Sequence, residues 1–263
     1  MAPPLHRLPP DSMPERATGG NIDIANFSVG DMLRAGLALR QVVGDADSSE
    51  EAATRVVRYL YDNCVDRATG KRACALVRFY KTHPLGDLNL GDRQFAEGQL
   101  GSIAPDPSMR CLALLCTVGD EPAWNDRRHS RSHRVIPLPS ADIVRRAPMI
   151  ARLIEQLGLE IESVVGGVAS SRRLSEAPTY DVFYVEHALG SPHIPAQAEF
   201  VAKYGIASVV GFGGQLRSGE IFVVILFARI HIPAKSAARF KTIALDVRSA
   251  LFTFPEDRTW KTL

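Results

Sequence analysis

Apolar residues along this chain fall into two kinds of block, one recurring every three to four residues and one continuous or nearly so, and their order predicts an α+β layer fold. Ser28 and Asp31 have the spacing of a capping box, with Asp in place of the usual Glu. Val29, Met32, Leu33, Gly36, Leu39, Arg40 and Val43 follow at helical intervals. Ser48 with Glu51 opens a second helix whose Ala52, Val56, Tyr59 and Leu60 share one face. Residues 73–80 (ACALVRFY) read as a buried strand ending in the loop KTHPLGDL. Residues 89–99 suit a helix, and Pro105 with Pro107 breaks whatever forms there. Residues 109–118 (MRCLALLCTV) are a second strand by length and apolar content, although their Leu and Ala also suit a short buried helix.

Gly119 to Pro139 is a long polar loop with WNDRRHSRSHRVIPLPS at its centre, and connections of that length are often functional. Ser140 caps the next helix, whose buried face is Ile143, Ala147, Ile150, Ile154 and Leu157; Pro148 either starts it or kinks it. Residues 164–178 read as a surface connection and 180–185 as a strand. Two prolines restrain residues 191–195, and 196–203 make about two helical turns before Gly205. Residues 206–212 and 221–230 form a hairpin, with Gly213-Gly214 and Ser218-Gly219 supplying the turn. Pro233 fits the first turn of a closing helix that buries Phe240, Ile243, Ala244, Val247 and Leu251. The expectation is a central antiparallel sheet flanked by helices, in one domain over residues 23–254. A leader without apolar period (1–22), read as disordered, precedes it, and a short tail (255–263) follows.

Composition narrows the partners. With 263 residues, 46% hydrophobic and 23% charged, the chain can bury a substantial core. A net charge of +2 gives no reason to expect nucleic acid or an anionic membrane. No apolar run reaches the roughly 18 residues a membrane helix needs, and no signal-peptide pattern opens the sequence. Cys64, Cys74, Cys111 and Cys116 form no CxxC pair and sit in apolar contexts, which suits reduced thiols in the cytoplasm.

His129 and His133 have a metal-ligand spacing, but Arg127, Arg128, Arg131 and Arg134 around them would repel a cation. The same arginines suit an anion, with Trp124 as a stacking face and Ser130 and His133 as polar neighbours; the plainer alternative is a solvated basic loop. Tyr184, His187, His193, Gln197, Phe200, Tyr204 and Phe212 bracket the SPHIP loop and suit a pocket wall, or alternatively core. His187 and His193 are conceivable haem ligands, but no cofactor motif accompanies them and no cofactor is assigned. GFGG at 211–214 lacks the phosphate-loop pattern. No nucleophile–base pair is visible, so the chain is expected not to be an enzyme.

Three segments carry a resemblance: ACALVRFYKTHPLGDL (73–88), WNDRRHSRSHRVIPLPS (124–140) and FYVEHALGSPHIPAQAEFVAKYGIASVVGFGG (183–214). They resemble the N-terminal sensory region of bacterial PAS/GAF-containing hybrid histidine kinases, and the order of elements is similar to a GAF domain. The resemblance implies a cytoplasmic sensor of a small, perhaps anionic molecule. It also implies a homodimer that signals through its first (28–43) and last (234–252) helices to a histidine kinase or response regulator. No phospho-acceptor helix or ATP-binding box is recognisable, so output is expected to pass to a partner or to a part absent from this sequence. The alternatives are an interaction module whose pocket is filled by its own side chains, and a haem or redox sensor. The Trp124–Ser140 and SPHIP loops are expected on opposite sides of one pocket.

Overall fold

The computed structural model describes residues 21–166, 182–216 and 218–251. Its helical layer begins with two side-chain caps. Ser28 Oγ accepts from the Asp31 N–H at 3.1 Å while the Asp31 carboxylate accepts from the Ser28 N–H at 3.0 Å, a reciprocal box that starts α1, Val29–Val43. Ser48 Oγ accepts from the Glu51 N–H at 3.1 Å and starts α2, Ser49–Asn63. A short parallel pair, β1 (Ile22–Asp23) with β2 (Cys64–Val65), ties the entry of the chain to the end of α2. Ile22 therefore belongs to the fold rather than to the expected leader.

Six strands make the main sheet: β3 (Cys74–Pro84), β4 (Arg110–Gly119), β5 (Val135–Pro137), β6 (Val182–Val185), β7 (Ser208–Gln215) and β8 (Ile221–Ala228). They run antiparallel in the order β5-β4-β3-β8-β7-β6. The architecture is a mixed α+β fold, an antiparallel sheet flanked by helices, compatible with a GAF-like fold. The continuous apolar run of β8 is explained by burial on both faces. Phe222, Val224 and Leu226 face a core closed by α1, α2 and α8 (Phe240–Leu251), while Val223, Ile225 and Phe227 face a second core. Aromatic rings fill the first, with Phe27–Phe240 centroids 5.0 Å apart, Phe212–Phe240 5.6 Å and Phe79–Phe222 5.8 Å. The second is closed by α4 (Ala141–Arg145), α5 (Pro148–Gln156), α6 (Ile161–Gly166) and a π-helical turn, Gln197–Ala202. Between the two halves of the chain, α3 (Leu90–Glu97) covers a small third cluster.

Several boundaries differ from those the sequence suggests. β3 runs on through Lys81, Thr82 and His83 to Pro84, because both its neighbours pair with it beyond Tyr80. Pro148 starts α5 instead of kinking a single helix. Residues 197–202 wind as a π turn entered from a left-handed Ala196 (φ 57°). The closing helix is divided into α7 (Ala234–Ala238) and α8. Gly213 and Gly214 lie inside β7, and the turn falls at 216–220, closed by the Leu216 N–H to the Glu220 carbonyl at 2.7 Å. Gly213 serves close packing, since a Cβ there would sit 2.1 Å from the Phe222 carbonyl oxygen. The leader up to residue 20, the tail from 255, and most of the 164–178 connection lie outside the described residues. No described helix is long and apolar enough to cross a membrane.

Candidate functional site

On the α5 face of the sheet the second core is incomplete, leaving a cavity of about 380 Å³. Its floor is Leu76, Arg78 and Tyr80 of β3, Leu112 of β4, and Ile225 and Phe227 of β8. These residues share a face because they are register partners: Leu76 opposite Phe227, Arg78 opposite Ile225. α5 supplies Met149, Ile150 and Leu153 as one wall. The other walls come from the two long loops, Trp124, His133 and Ile136 from one, Pro192, Ile194 and Pro195 from the other, with Phe200 of the π turn between them.

Trp124 is held on three sides. Its ring meets Tyr204 edge-on at 4.6 Å and Phe200 at 5.6 Å, and it lies over Gly119, where a Cβ would come within 2.6 Å of the indole. Asn125 fixes the loop behind it, accepting from the Gly119 N–H and donating to the Gly119 carbonyl, both at 3.1 Å. The Tyr204 hydroxyl donates to Glu121 at 2.9 Å, which anchors the far side of the same cluster.

Few polar groups face this apolar space. Arg78 Nη1 donates to the Tyr80 hydroxyl at 3.3 Å, while its Nε is buried with no hydrogen-bond partner. Among the described residues Arg78 has no carboxylate within ion-pair distance. Thr117, opposite Arg78 on β4, is 3% exposed with its hydroxyl also without a partner, but it does not line the cavity. His133 stands at the cavity mouth with Nδ1 2.8 Å from Ser132 Oγ. The surrounding protein, and then the Arg78 charge, hold its imidazole below the usual histidine range.

Of the residues singled out from sequence, Trp124, His133 and Phe200 line the cavity; the others are elsewhere. Arg127 is engaged internally, with Nη1 2.8 Å from Asp92 and Nε 3.1 Å from Glu50. Arg134 holds the other oxygen of the same fully buried Asp92 at 2.5 Å, so the basic loop is a pairing partner of α2 and α3 and not an open anion clamp. Ser130 closes the short 3₁₀ turn after Arg127, its N–H donating to the Arg127 carbonyl at 3.1 Å. The Tyr184 hydroxyl donates to the Ile232 carbonyl, and its ring packs on the α1–α8 core. His187 is exposed at the sheet edge, stacked on His231 at 5.5 Å. His193 sits between two lining residues, but its own ring does not line the space, and Nδ1 is buried without a partner. Gln197 staples the SPHIP loop, accepting from the Gly190 N–H at 2.7 Å and donating to the Ile194 carbonyl at 2.8 Å. Phe212 is buried in the opposite core.

Sequence reasoning missed Arg78 and most of the floor. One signal was present: a single charge at the centre of ACALVRFY, an otherwise apolar buried strand. None of the four cysteines lines the cavity. Burial pushes the Cys111 thiol up to about 12 and Cys116 up to about 11, and a hydrogen bond with Cys74 followed by burial raises Cys64. Among the described residues, no three His, Cys, Asp or Glu side chains group as metal ligands.

No family model and no curated protein sequence matches the chain. Two solved structures are similar in layout. One is a free methionine-R-sulfoxide reductase from Neisseria meningitidis in complex with its substrate, with 10% identity and a TM-score of 0.45 over 85% of this chain and 89% of that one. The other is an N-acylhomoserine lactone-dependent LuxR-family transcription factor from Burkholderia cenocepacia, with 14% identity and a TM-score of 0.42 over 86% of this chain and 95% of that one. The expectation that the chain is not an enzyme is withdrawn, since the first of these proteins is a reductase; a likeness at a TM-score of 0.45 assigns no activity to this chain.

Proposed function

We propose that the chain is a cytoplasmic sensory module that binds a small, largely apolar molecule in this cavity and relays occupancy through its terminal helices to a signalling partner. The cavity carries this reading: about 380 Å³ lies within the roughly 300–1,000 Å³ typical of small-molecule sites. Phe200 lines it without filling it, Tyr204 packs on Trp124, and Phe212 is on the other face, which disfavours a module with a self-filled pocket.

A route to the helices runs through the sheet, since β3 and β8 present cavity residues on one face and the α1–α8 core on the other. α1 and α8 lie side by side in the same direction, with Phe27 against Phe240 at their starts and Arg40 3.5 Å from Asp246 farther along. Val29, Leu33 and Leu37 repeat every four residues on α1 and are each more than half exposed, a stripe suited to a second copy of the chain. A histidine kinase or response regulator is the output partner the sequence resemblance implies.

Titration with the uncharged dye N-phenyl-1-naphthylamine tests the site. Saturable binding that quenches or shifts Trp124 emission is expected, and Leu112→Trp, which fills the floor, should abolish it. Equal binding by the filled variant would rule the cavity out.

A further inference from the structure

We propose that the molecule this cavity takes is a small amphipathic carboxylate, with Arg78 reading its charge; the inference rests on the binding role above. Arg78 breaks the apolar face of β3 between Leu76 and Tyr80, at the centre of the cavity floor. Arg78 is partly buried, with its Nε out of reach of solvent, and a guanidinium so placed gains from a carboxylate beside it. Elsewhere in this protein Arg127 and Arg134 share Asp92, and Lys81 and Arg110 share Glu220, whereas Arg93 and Arg239 bond backbone carbonyls. Arg78 makes no such pair among the described residues. Only the Nη1 bond to Tyr80 is made, and Nε is buried without a partner.

On the cavity side Arg78 meets apolar side chains, the Tyr80 hydroxyl and His133. His133, largely exposed at the cavity mouth, adds no negative charge. No carboxylate side chain lines the cavity. A neutral apolar ligand would leave the guanidinium uncompensated, whereas a carboxylate accepts from it in the planar geometry the guanidinium fork matches. The remaining lining, Leu76, Leu112, Ile136, Ile150, Ile194 and Phe227, is apolar and requires an apolar tail or ring on the same molecule.

The test is competition against the bound neutral dye by octanoate and phenylacetate, each paired with its uncharged amide, octanamide and phenylacetamide. The acids are expected to compete at concentrations on the order of 10- to 100-fold lower than the amides, the range for one hydrogen-bonded charge contact. Arg78→Met should erase that gap, leave the amides unchanged, and raise the melting temperature of the ligand-free protein by removing an uncompensated charge. Arg78→Lys should narrow the gap without closing it, and Arg78→Gln should close it; these two keep the question answerable if Arg78→Met does not fold. Octyl phosphate competing better than octanoate would overturn the carboxylate class. Amides competing as well as acids, or a preference that survives Arg78→Met, would overturn the role of Arg78 while leaving the cavity as a binding site. A wild-type chain that binds neither dye nor acid would defeat both readings.

Discussion

On one side of β3 and β8, Phe79, Phe222, Val224 and Leu226 lie beneath α1 and α2, of 15 residues each, and α8, of 12. On the other side, Leu76, Arg78, Ile225 and Phe227 lie beneath helices of 5, 9 and 6 residues and a proline-bound loop. A long amphipathic helix presents an unbroken apolar stripe and fills the groove of a sheet. Segments cut short at Pro148, Pro192 and Pro195 cannot present one, so space remains between them and the strands. The same sheet thus carries a packed face, suited to stability and transmission, and an open face, suited to a ligand.

Truncation should expose this contrast most strongly. Phe222→Ala, in the packed face, is expected to cost about 3–5 kcal/mol, whereas Leu112→Ala at the cavity floor should cost about 2 kcal/mol, because its atoms already border empty space. Urea midpoints of both variants measure the difference, and equal losses would mean the faces are packed alike. Enlargement gives a smaller effect with the reverse logic. Val224→Phe should destabilise by about 1–3 kcal/mol through overpacking, while its chain neighbour Ile225→Phe should cost less than about 1 kcal/mol and weaken dye binding instead.

The smallest effect concerns the end of β3 beyond both cores. His83 is 5% exposed, and burial followed by the Lys81 and Arg110 charges pushes its imidazole down from 6.5 to about 3. Between those values the unfolded chain takes up a proton that the folded chain refuses, so stability falls as pH falls from 6.5 toward 3. The slope from one such group is at most about 1.4 kcal/mol per pH unit. His83→Gln should flatten the decline in urea midpoint between pH 6.5 and pH 5 by up to that amount without altering dye binding at pH 7. An unchanged slope would assign the acid sensitivity to other groups.

Much of the scaffold was legible because its signals are local. The Ser28–Asp31 and Ser48–Glu51 spacings mark helix starts within four residues of chain, and the apolar run of β8 marks a strand buried on both sides. The site was less legible. Trp124 and His133 stood out by composition, but Arg127 looked equally suitable until its carboxylate, 35 residues earlier in the chain, was located. Gly213-Gly214 carried turn chemistry in sequence, yet the adjacent Phe222 carbonyl demands glycine at 213 for space inside the strand.

The sequence by itself determined where the helices begin, which runs become strands, and that the result is an antiparallel sheet with helices over it. Those outcomes follow from capping and from periodicity, which act over a few residues. Only the tertiary structure decided that Arg78 faces a cavity while Arg127 faces a carboxylate. That depends on strand register, on the irregularity at Phe79 and Tyr80, and on which distant side chains arrive to meet each charge. Pairing of that kind is set by contacts between segments far apart in the chain, and no local pattern encodes it.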